Sequence, residues 1–208
     1  MIKINAISKI YDRVEALSEV SLEVSKGETV GILGPSGSGK TTLLRIVAGF
    51  EYPSAGKVFI DDKLASSPEY LLEPSKRDIS AVFQTPALWP NMNIRENLEY
   101  VQPSKPINEL IERIGLKGLT DRYPNELSGG EARRASIARA LVAEKSYLLL
   151  DEPLVNLNPE LKEVLHTVIV EETKKRRMGV LYISHDASEL EYADRIYHMG
   201  KGRFAEEQ

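Results

Sequence analysis

A glycine-rich segment at residues 34–41 constrains the fold of this chain more than any other part of the sequence. It reads Gly-Pro-Ser-Gly-Ser-Gly-Lys-Thr and fits the pattern G-x-x-x-x-G-K-[ST]. The apolar run Thr29–Leu33 before it predicts a buried strand, and residues 41–48 after it predict a helix. Glycines let backbone N–H groups curl around an anion, and the following helix directs its positive end at that anion. The segment therefore predicts a loop that binds the phosphates of a nucleotide.

The residue types inside this loop assign a role to each side chain. Lys40 is predicted to place a cation on the β- and γ-phosphates of ATP, and the hydroxyl of Thr41 is predicted to ligate Mg²⁺. An ordinary glycine turn is the alternative, but the strand before the loop and the helix after it favour phosphate binding. The loop residues predicted to bind ATP are Gly34, Pro35, Ser36, Gly37, Ser38, Gly39, Lys40, Thr41 and Thr42.

A second strand, at residues 147–150, ends in two carboxylates, Asp151 and Glu152. Asp151 is predicted to hold Mg²⁺, and Glu152 is predicted to act as the general base that polarises the attacking water. An acidic turn without a function is the alternative for an isolated strand end of this kind. The phosphate loop upstream favours the catalytic interpretation.

Strands alternate with helices along most of the chain, which predicts an α/β fold with a mainly parallel sheet. Apolar residues alternate with polar ones near the N-terminus, as expected for half-buried strands of an antiparallel β subdomain. The stretch 86–143 has a helical pattern and predicts an inserted helical subdomain. The predicted division of the single domain 1–208 is therefore a P-loop NTPase core with the β subdomain, 1–85 and 144–208, and the helical subdomain, 86–143.

Composition and charge exclude several classes of protein. The chain has no cysteine, which excludes disulfides, thiol catalysis and thiolate metal sites. Its net charge of −4 does not suggest a nucleic-acid partner. The sequence has no run approaching the ~20 apolar residues of a membrane-spanning helix. If the protein acts at a membrane, we expect another chain to cross it.

A third motif gives the sequence a specific family resemblance. Residues 127–131 read Leu-Ser-Gly-Gly-Glu, and they resemble the signature motif of ABC ATPases, which usually ends in Gln. With the phosphate loop and the acidic strand end, the chain resembles an ABC nucleotide-binding domain over essentially all 208 residues. The signature residues are Leu127, Ser128, Gly129, Gly130 and Glu131.

The resemblance implies roles for three further side chains. Tyr11 is expected to stack on adenine, Gln84 to reach Mg²⁺ and the attacking water, and His185 to contact the γ-phosphate. Their alternatives are strand packing for Tyr11, a cap for Gln84 and a strand-end position for His185. The implied catalytic set is Glu152, His185, Gln84 and Lys40, and the implied metal ligands are Thr41, Gln84 and Asp151.

The resemblance also implies an assembly. The signature motif is expected to face the γ-phosphate of ATP bound to a second chain, so that two chains form an ATP-dependent dimer with C2 symmetry. Whether the second chain is identical or a paralogue stays open. The D-loop is expected at residues 155–158, with Asn156, Leu157 and Asn158 as its main members.

Two residues depart from the family pattern. Asn158 stands where the family usually has Asp, which keeps the shape and loses the charge, and coupling between the two sites could change. Glu131 replaces the usual Gln, but Ser128 and Glu131 also have the spacing of a capping box, in which Glu131 turns back to its own backbone. We therefore expect hydrolysis to survive both departures.

The function predicted by the resemblance is the ATP-hydrolysing subunit of a transporter. The alternative is a soluble ABC ATPase of DNA repair or translation, which the absence of long heptads and of a second such domain disfavours. Residues 84–90 resemble importer subunits, so a separate transmembrane permease is expected to dock near residues 84–98, with a solute-binding protein involved indirectly. The expected location is cytoplasmic, on the inner face of the membrane. Because the sequence stops at Gln208, we expect no C-terminal regulatory domain.

Overall fold

The computed structural model describes residues 1–104 and 106–205. These two ranges contain two β-sheets and five α-helices. In these two ranges no helix is long and apolar enough to cross a membrane. The strands are β1 (Ile2–Tyr11), β2 (Val14–Val24), β3 (Thr29–Leu33), β4 (Ala55–Ile60), β5 (Lys63–Ser66), β6 (Ile79–Val82), β7 (Tyr147–Asp151), β8 (Gly179–Ser184), β9 (Arg195–Gly200) and β10 (Arg203–Phe204). The helices are α1 (Lys40–Ala48), α2 (Ile94–Val101), α3 (Asn108–Arg113), α4 (Gly129–Val142) and α5 (Pro159–Arg176).

The larger sheet has the strand order β10-β9-β3-β8-β7-β6, and all its strands except β10 run parallel. Every residue of β7 and β8 is buried, as expected for strands covered on both faces. Alternate residues of these strands belong to two separate apolar clusters. One cluster contains α1 and the smaller sheet, and the other contains α2, α3, α4 and α5. The mainly parallel α/β sheet predicted from the sequence is therefore confirmed.

The smaller sheet is antiparallel and has the order β2-β1-β4-β5. The residues Ile2, Ile4 and Ile7 turn their side chains into the core, which confirms the N-terminal antiparallel subdomain. Strand β5 was not predicted from the sequence. It pairs with β4 after a turn at Asp61 and Asp62, both of which have a positive φ (46° and 62°).

Three helices lie between the sheet strands β6 and β7, in the stretch predicted to be helical. Helix α2 begins after Asn93, whose side chain forms a capping box with Glu96. Asn97 is fully buried and bonds the backbone of Trp89, Met92 and Asn93, so it fixes the segment that leads into α2. The exact subdomain boundaries stay a prediction, and residues 206–208 lie outside the described residues.

A buried arginine fixes the C-terminal end of α1. Only 2% of Arg77 is exposed, and its guanidinium donates hydrogen bonds to the Val47 carbonyl at 2.6 Å and the Ala65 carbonyl at 2.7 Å. It also bonds the carbonyls of Ile46 and Leu72. Burial lowers the pKa of this guanidinium to about 10, and the group stays charged at neutral pH. Positive charge is favourable at this end of a helix.

We expect Arg77→Met to lower the free energy of unfolding by about 2–4 kcal/mol, because it leaves several buried carbonyls without a donor. Urea denaturation measures this, and the slope of the transition should not change. The matched control is Arg203→Met, which removes an arginine with 67% of its side chain exposed. A loss below about 1 kcal/mol for Arg77→Met would contradict this role.

Candidate active site

The glycine-rich loop lies between β3 and α1, as predicted, and two of its glycines allow very close backbone contacts. A Cβ atom added to Gly34 would lie 2.2 Å from the Met199 carbonyl oxygen. A Cβ atom on Gly39 would lie 2.5 Å from the Ala16 carbonyl oxygen, and Gly39 has a φ of 104°. A side chain at either position would displace backbone, so the loop can be this tight only with glycine. Helix α1 has no acidic residue in its first turn, which leaves its positive end suited to an anion.

The side chain of Lys40 is buried against the backbone of this loop. Only 4% of the residue is exposed, and its ammonium donates to the carbonyl oxygens of Gly34 at 2.6 Å and Pro35 at 2.9 Å. Burial lowers the pKa of Lys40, and the carboxylates of Glu152 and Asp151 oppose that change. The cation is thus held at the loop by weak carbonyl partners, which a phosphate oxygen can replace.

Asp151 ends β7 next to the start of α1. Its Oδ1 accepts a hydrogen bond from the Thr41 hydroxyl at 3.1 Å, and only 1% of the residue is exposed. Its Oδ2 is buried and has no hydrogen-bond partner within the described ranges. Burial raises the pKa of Asp151, and Glu152 raises it further, while Thr41, Lys40 and Arg133 lower it. Asp151 Oδ2 is thus a buried carboxylate oxygen that accepts no hydrogen bond, and it lies beside a hydroxyl. Oxygen ligands of this kind suit a hard divalent cation.

Glu152 and His185 follow the neighbouring parallel strands β7 and β8, so they meet at one edge of the sheet. The Glu152 Oε2 atom lies 3.3 Å from the His185 Nδ1 atom, with 13% of the glutamate side chain and 51% of the histidine side chain exposed. Glu152 has a φ of 48°, and its backbone N–H donates to the Ile183 carbonyl at 2.9 Å. This backbone bond fixes an unusual conformation that turns the carboxylate toward the phosphate loop.

Gln84 follows β6, the edge strand beside β7, and is exposed. Its backbone carbonyl accepts a hydrogen bond from the guanidinium of Arg133, which also donates to the Phe83 carbonyl at 3.1 Å. Arg133 lies on α4 and only 7% of it is exposed. The backbone of Gln84 is therefore attached to helix α4.

A cavity of about 220 Å³ brings these groups together. The glycine-rich loop forms its floor, and side chains from three sheet strands or their following loops surround it. The lining residues are Ala16, Ser36, Gly37, Ser38, Gly39, Lys40, Thr41, Thr42, Gln84 and Glu152.

Tyr11, the predicted adenine contact, lies at the end of β1 with 39% of the residue exposed. The Lys9 ammonium lies 4.9 Å from the centre of its ring. Burial raises the pKa of its phenol, Glu51 raises it further, and Thr42 of the phosphate loop lowers it. The phenol is therefore near the loop, although Tyr11 does not line the cavity, and stacking on adenine stays a prediction.

The signature segment forms the start of helix α4. The Ser128 backbone N–H donates to Glu131 Oε2 at 2.7 Å, and the Glu131 backbone N–H donates to Ser128 Oγ at 3.3 Å, which confirms the predicted capping box. Hydrogen bonds from the Ser128 backbone and hydroxyl lower the pKa of Glu131. Gly130 lies beside the D-loop, because a Cβ there would be 3.4 Å from Leu157 Cδ2.

The D-loop leads into helix α5. Asn156 has a φ of 61°, and the side chain of Asn158 caps α5 by accepting a hydrogen bond from the Leu161 backbone N–H at 2.9 Å. Asn158, which departs from the family pattern, is therefore the N-cap of α5, a position that Asn fills well.

The comparison with known families decides the classification. The sequence model described as ABC transporter matches residues 17–155, which include the phosphate loop, the signature segment and the acidic strand end. The chain belongs to the ABC transporter family.

Individual relatives agree with this classification. The ABC domain is 38% identical over 97% of its length to the sulfate/thiosulfate import ATP-binding protein of Agrobacterium fabrum, and it covers 61% of that relative. It is 38% identical over 93% of its length to the trehalose/maltose import ATP-binding protein of Thermococcus litoralis, and it covers 55% of that relative. The chain thus spans less than two thirds of the length of these relatives.

A solved structure confirms the fold. A dimeric bacterial ABC transporter cassette matches the ABC domain with a TM-score of 0.88 at 28% identity, covering 100% of this chain and 98% of that chain. The same cassette in a dimeric post-hydrolysis state bound to ADP and Pi matches with a TM-score of 0.86 at 27% identity, with the same coverage.

Two contributors to the site of this ABC domain were not predicted from the sequence. Ala16 lines the cavity through a strand of the antiparallel sheet, and no local pattern distinguishes it from other strand residues. Arg133 follows the signature segment in a run of mixed polar and apolar residues, where an exposed arginine would be the ordinary expectation. Its burial beside Gln84 depends on tertiary packing alone.

Proposed function

We propose that this chain binds ATP with Mg²⁺ and hydrolyses it as the ATP-binding subunit of an ABC importer. The observation that carries the proposal is the convergence of Lys40, Glu152 and Gln84 on one cavity above the phosphate loop. The N-terminal end of α1, which has no side-chain cap and no acidic residue in its first turn, and the close glycine contacts suit a polyphosphate, and the relatives are import ATP-binding proteins. The alternative of a soluble ABC ATPase of DNA repair or translation has no support in these comparisons.

In this proposal each side chain has a stated task. The ammonium of Lys40 leaves the carbonyls of Gly34 and Pro35 to bind the β- and γ-phosphates. The carboxylate of Glu152 accepts the proton of the attacking water. His185, held 3.3 Å from Glu152, donates toward the charge that develops on the γ-phosphate.

Thr41, Asp151 and Gln84 are the residues that would hold Mg²⁺. The buried Oδ2 of Asp151 supports this assignment because it has no donor within the described ranges. When bound, the ion would neutralise negative charge on the phosphate oxygens. Asp151, for its part, orients the Thr41 hydroxyl through the 3.1 Å hydrogen bond, and this hydroxyl lies at the first turn of α1.

We further propose that two chains form a C2 dimer around two ATP molecules. In this proposal a second chain supplies the signature segment, because across residues 1–104 and 106–205 no member of that segment lines the cavity. The N-terminus of α4 suits the γ-phosphate of a partner, because Ser128 and Gly129 are exposed there. The dimeric state of the matched cassette supports this assembly.

A separate permease is proposed to dock near residues 84–98 and to hold the chain at the inner face of the membrane, with a solute-binding protein acting indirectly. Trp89 is half-buried, stacks 4.3 Å from the Arg139 guanidinium and packs 4.8 Å from the Tyr100 ring. Tyr100 is 64% exposed, and an exposed aromatic beside a fixed one is typical of an interface anchor.

Affinity capture of the tagged chain from detergent-solubilised membranes of its own organism tests the proposal. We expect a multispanning protein in stoichiometric amount, and Mg²⁺-dependent phosphate release from the captured complex. Tyr100→Arg should weaken the capture, while the control Tyr192→Arg, at a tyrosine that is 60% exposed, should not. Recovery of ribosomes or DNA instead of a membrane protein would refute transport. A complex without Mg²⁺-dependent phosphate release would refute hydrolysis.

A further inference from the structure

Glu189 is a buried carboxylate that the proposed chemistry does not use. It lies on the short turn Ala187–Leu190, and only 8% of its side chain is exposed. Its Oε1 accepts a hydrogen bond from the Lys162 ammonium at 2.9 Å, and its Oε2 accepts one from the Ser184 hydroxyl at 2.9 Å. Both carboxylate oxygens are therefore directed to specific partners on other elements.

One of these partners fixes the backbone on both sides of His185. Ser184 is the last residue of β8, and its hydroxyl also accepts a hydrogen bond from the Asp186 backbone N–H at 3.0 Å. The side chain of His185 is 51% exposed and has little packing around it. The direction of the imidazole therefore depends on its backbone, which the Ser184 hydroxyl holds, and on its contact with Glu152.

The other partner belongs to the helix that follows the D-loop. Lys162 lies in the first turn of α5, where its backbone N–H donates to the Asn158 carbonyl at 3.0 Å. Asn158 caps the same turn. Glu189 therefore joins the end of the D-loop to the backbone around His185 through two direct hydrogen bonds.

The burial of Glu189 makes this connection stiff. Glu189 is the buried member of this pair, with 8% of its side chain exposed against 32% for Lys162, so removing Lys162 leaves a buried carboxylate without its charged partner. A shift of Lys162 away from Glu189 would therefore be resisted, and the turn that carries Glu189 would move with the helix. Asp186 lies directly after His185 and caps this turn, because its side chain accepts a hydrogen bond from the Ser188 backbone N–H at 3.0 Å.

We propose that Lys162, Glu189 and Ser184 are positioning residues that link the first turn of α5 to His185 and so place the imidazole for ATP hydrolysis, an inference that rests on the proposed function. None of the three lines the cavity. Their effect on the reaction is therefore through His185 and not through contact with the nucleotide.

ATP turnover by the full chain tests this link through Lys162, Glu189 and Ser184, which we call the relay. We expect Lys162→Met and Ser184→Ala each to lower kcat for ATP about tenfold, since a small misplacement of a reacting group costs up to about 100-fold. The KM for ATP should stay within about twofold, because the phosphate loop is unchanged. Lys162→Arg should restore most of kcat, and the control Lys174→Met, on the exposed side of the same helix, should match wild type.

A spectroscopic measurement tests the same relay without turnover. The chain has three histidines, so the ¹H–¹⁵N spectrum of the imidazole rings is simple, and His185→Gln assigns the relevant signals. We expect Lys162→Met and Ser184→Ala to shift the ring signals of His185 and to leave those of His198 in place. His166, which contacts the Glu189 carbonyl oxygen at 3.2 Å, serves as an internal reporter of the turn.

The outcomes separate the relay from the proposed function. Absence of ATP hydrolysis by wild type would refute the proposed function, and the His185 signals would then decide the relay. Normal hydrolysis with unchanged kcat in both variants overturns the relay alone. A loss of kcat with unmoved His185 signals also overturns it, because the residues would then act only on general stability.

Discussion

Glu152→Gln is expected to lower the release of phosphate from ATP by about 10²–10⁴-fold, because the amide cannot accept the proton of the attacking water. ATP should still bind, since Lys40 and the glycine-rich loop are unchanged. The backbone of residue 152 is fixed by its bond to the Ile183 carbonyl at 2.9 Å, so the substitution should not move the strand end. We therefore expect dimers that contain ATP to accumulate.

Two measurements check this result. Single-turnover phosphate release measures the chemical step, and light scattering with ATP measures the dimer. Glu163→Gln is the matched control, because it changes an exposed glutamate on α5 and should behave as wild type in both. Phosphate release by Glu152→Gln at the wild-type rate would refute the assignment of Glu152 as the general base.

The sequence predicted the position of the site but not how its parts are held. Glu152 was predicted at a strand end, and the structure shows that His185 follows the neighbouring parallel strand, so the two residues meet at one edge of the sheet. The phosphate loop could be predicted from the sequence because the spacing of its glycines determines where the backbone can make tight turns. The predictions for the phosphate loop and for Glu152 depended on local sequence pattern alone.

Other contacts depend on packing between distant segments, and no local pattern encodes them. Arg133 is 49 residues from Gln84 in the sequence, and Arg77 is 30 residues from Val47. A long side chain can be exposed or buried at either position, so composition does not distinguish the two. The left-handed conformation of Glu152, with a φ of 48°, is likewise imposed by the neighbouring strand and not by residue type.

The same contrast explains the departures from the family pattern. Asn158 and Glu131 each have a clear local structural partner, the Leu161 backbone N–H and the Ser128 backbone N–H. Local capping could be predicted for Glu131 because the serine lies three residues before it. What Asn158 does across a dimer depends on a second chain, and so it stays a prediction.

Asp151→Asn is expected to stabilise the protein without nucleotide and to abolish most of its Mg²⁺-dependent turnover. Burial raises the pKa of Asp151, which means that the folded state favours the neutral form more than the unfolded state does. Stability from this group is therefore highest below its unfolded pKa of about 3.9 and falls as the pH rises through the folded pKa. At neutral pH, which is above the unfolded pKa, the buried carboxylate destabilises the folded state, and Asn removes this cost.

We expect the free energy of unfolding at pH 7 to rise by about 1–3 kcal/mol. Each kcal/mol corresponds to an increase in Tm of about 2–4 °C for a chain of this size. The Thr41 hydroxyl can still donate to the amide oxygen of Asn, so the existing 3.1 Å contact is retained. Thermal unfolding between pH 4 and pH 8 measures the change, and the gain should shrink toward acidic pH. Asp121→Asn, at an exposed loop carboxylate, should leave the curve unchanged.

Turnover should move in the opposite direction. Asp151 is proposed to hold Mg²⁺ through its buried Oδ2, so we expect loss of this carboxylate to lower phosphate release by about 100-fold or more. Mg²⁺ with ATP should raise the Tm of wild type through preferential binding to the folded state, and it should raise the Tm of Asp151→Asn much less. If Asp151→Asn has a lower Tm than wild type without nucleotide, the destabilising effect of the buried carboxylate is contradicted. If Mg²⁺ with ATP raises its Tm as much as that of wild type, the role of Asp151 in binding the metal is contradicted. The opposite changes in stability and turnover would show that the buried carboxylate is retained for chemistry, at a cost to the fold.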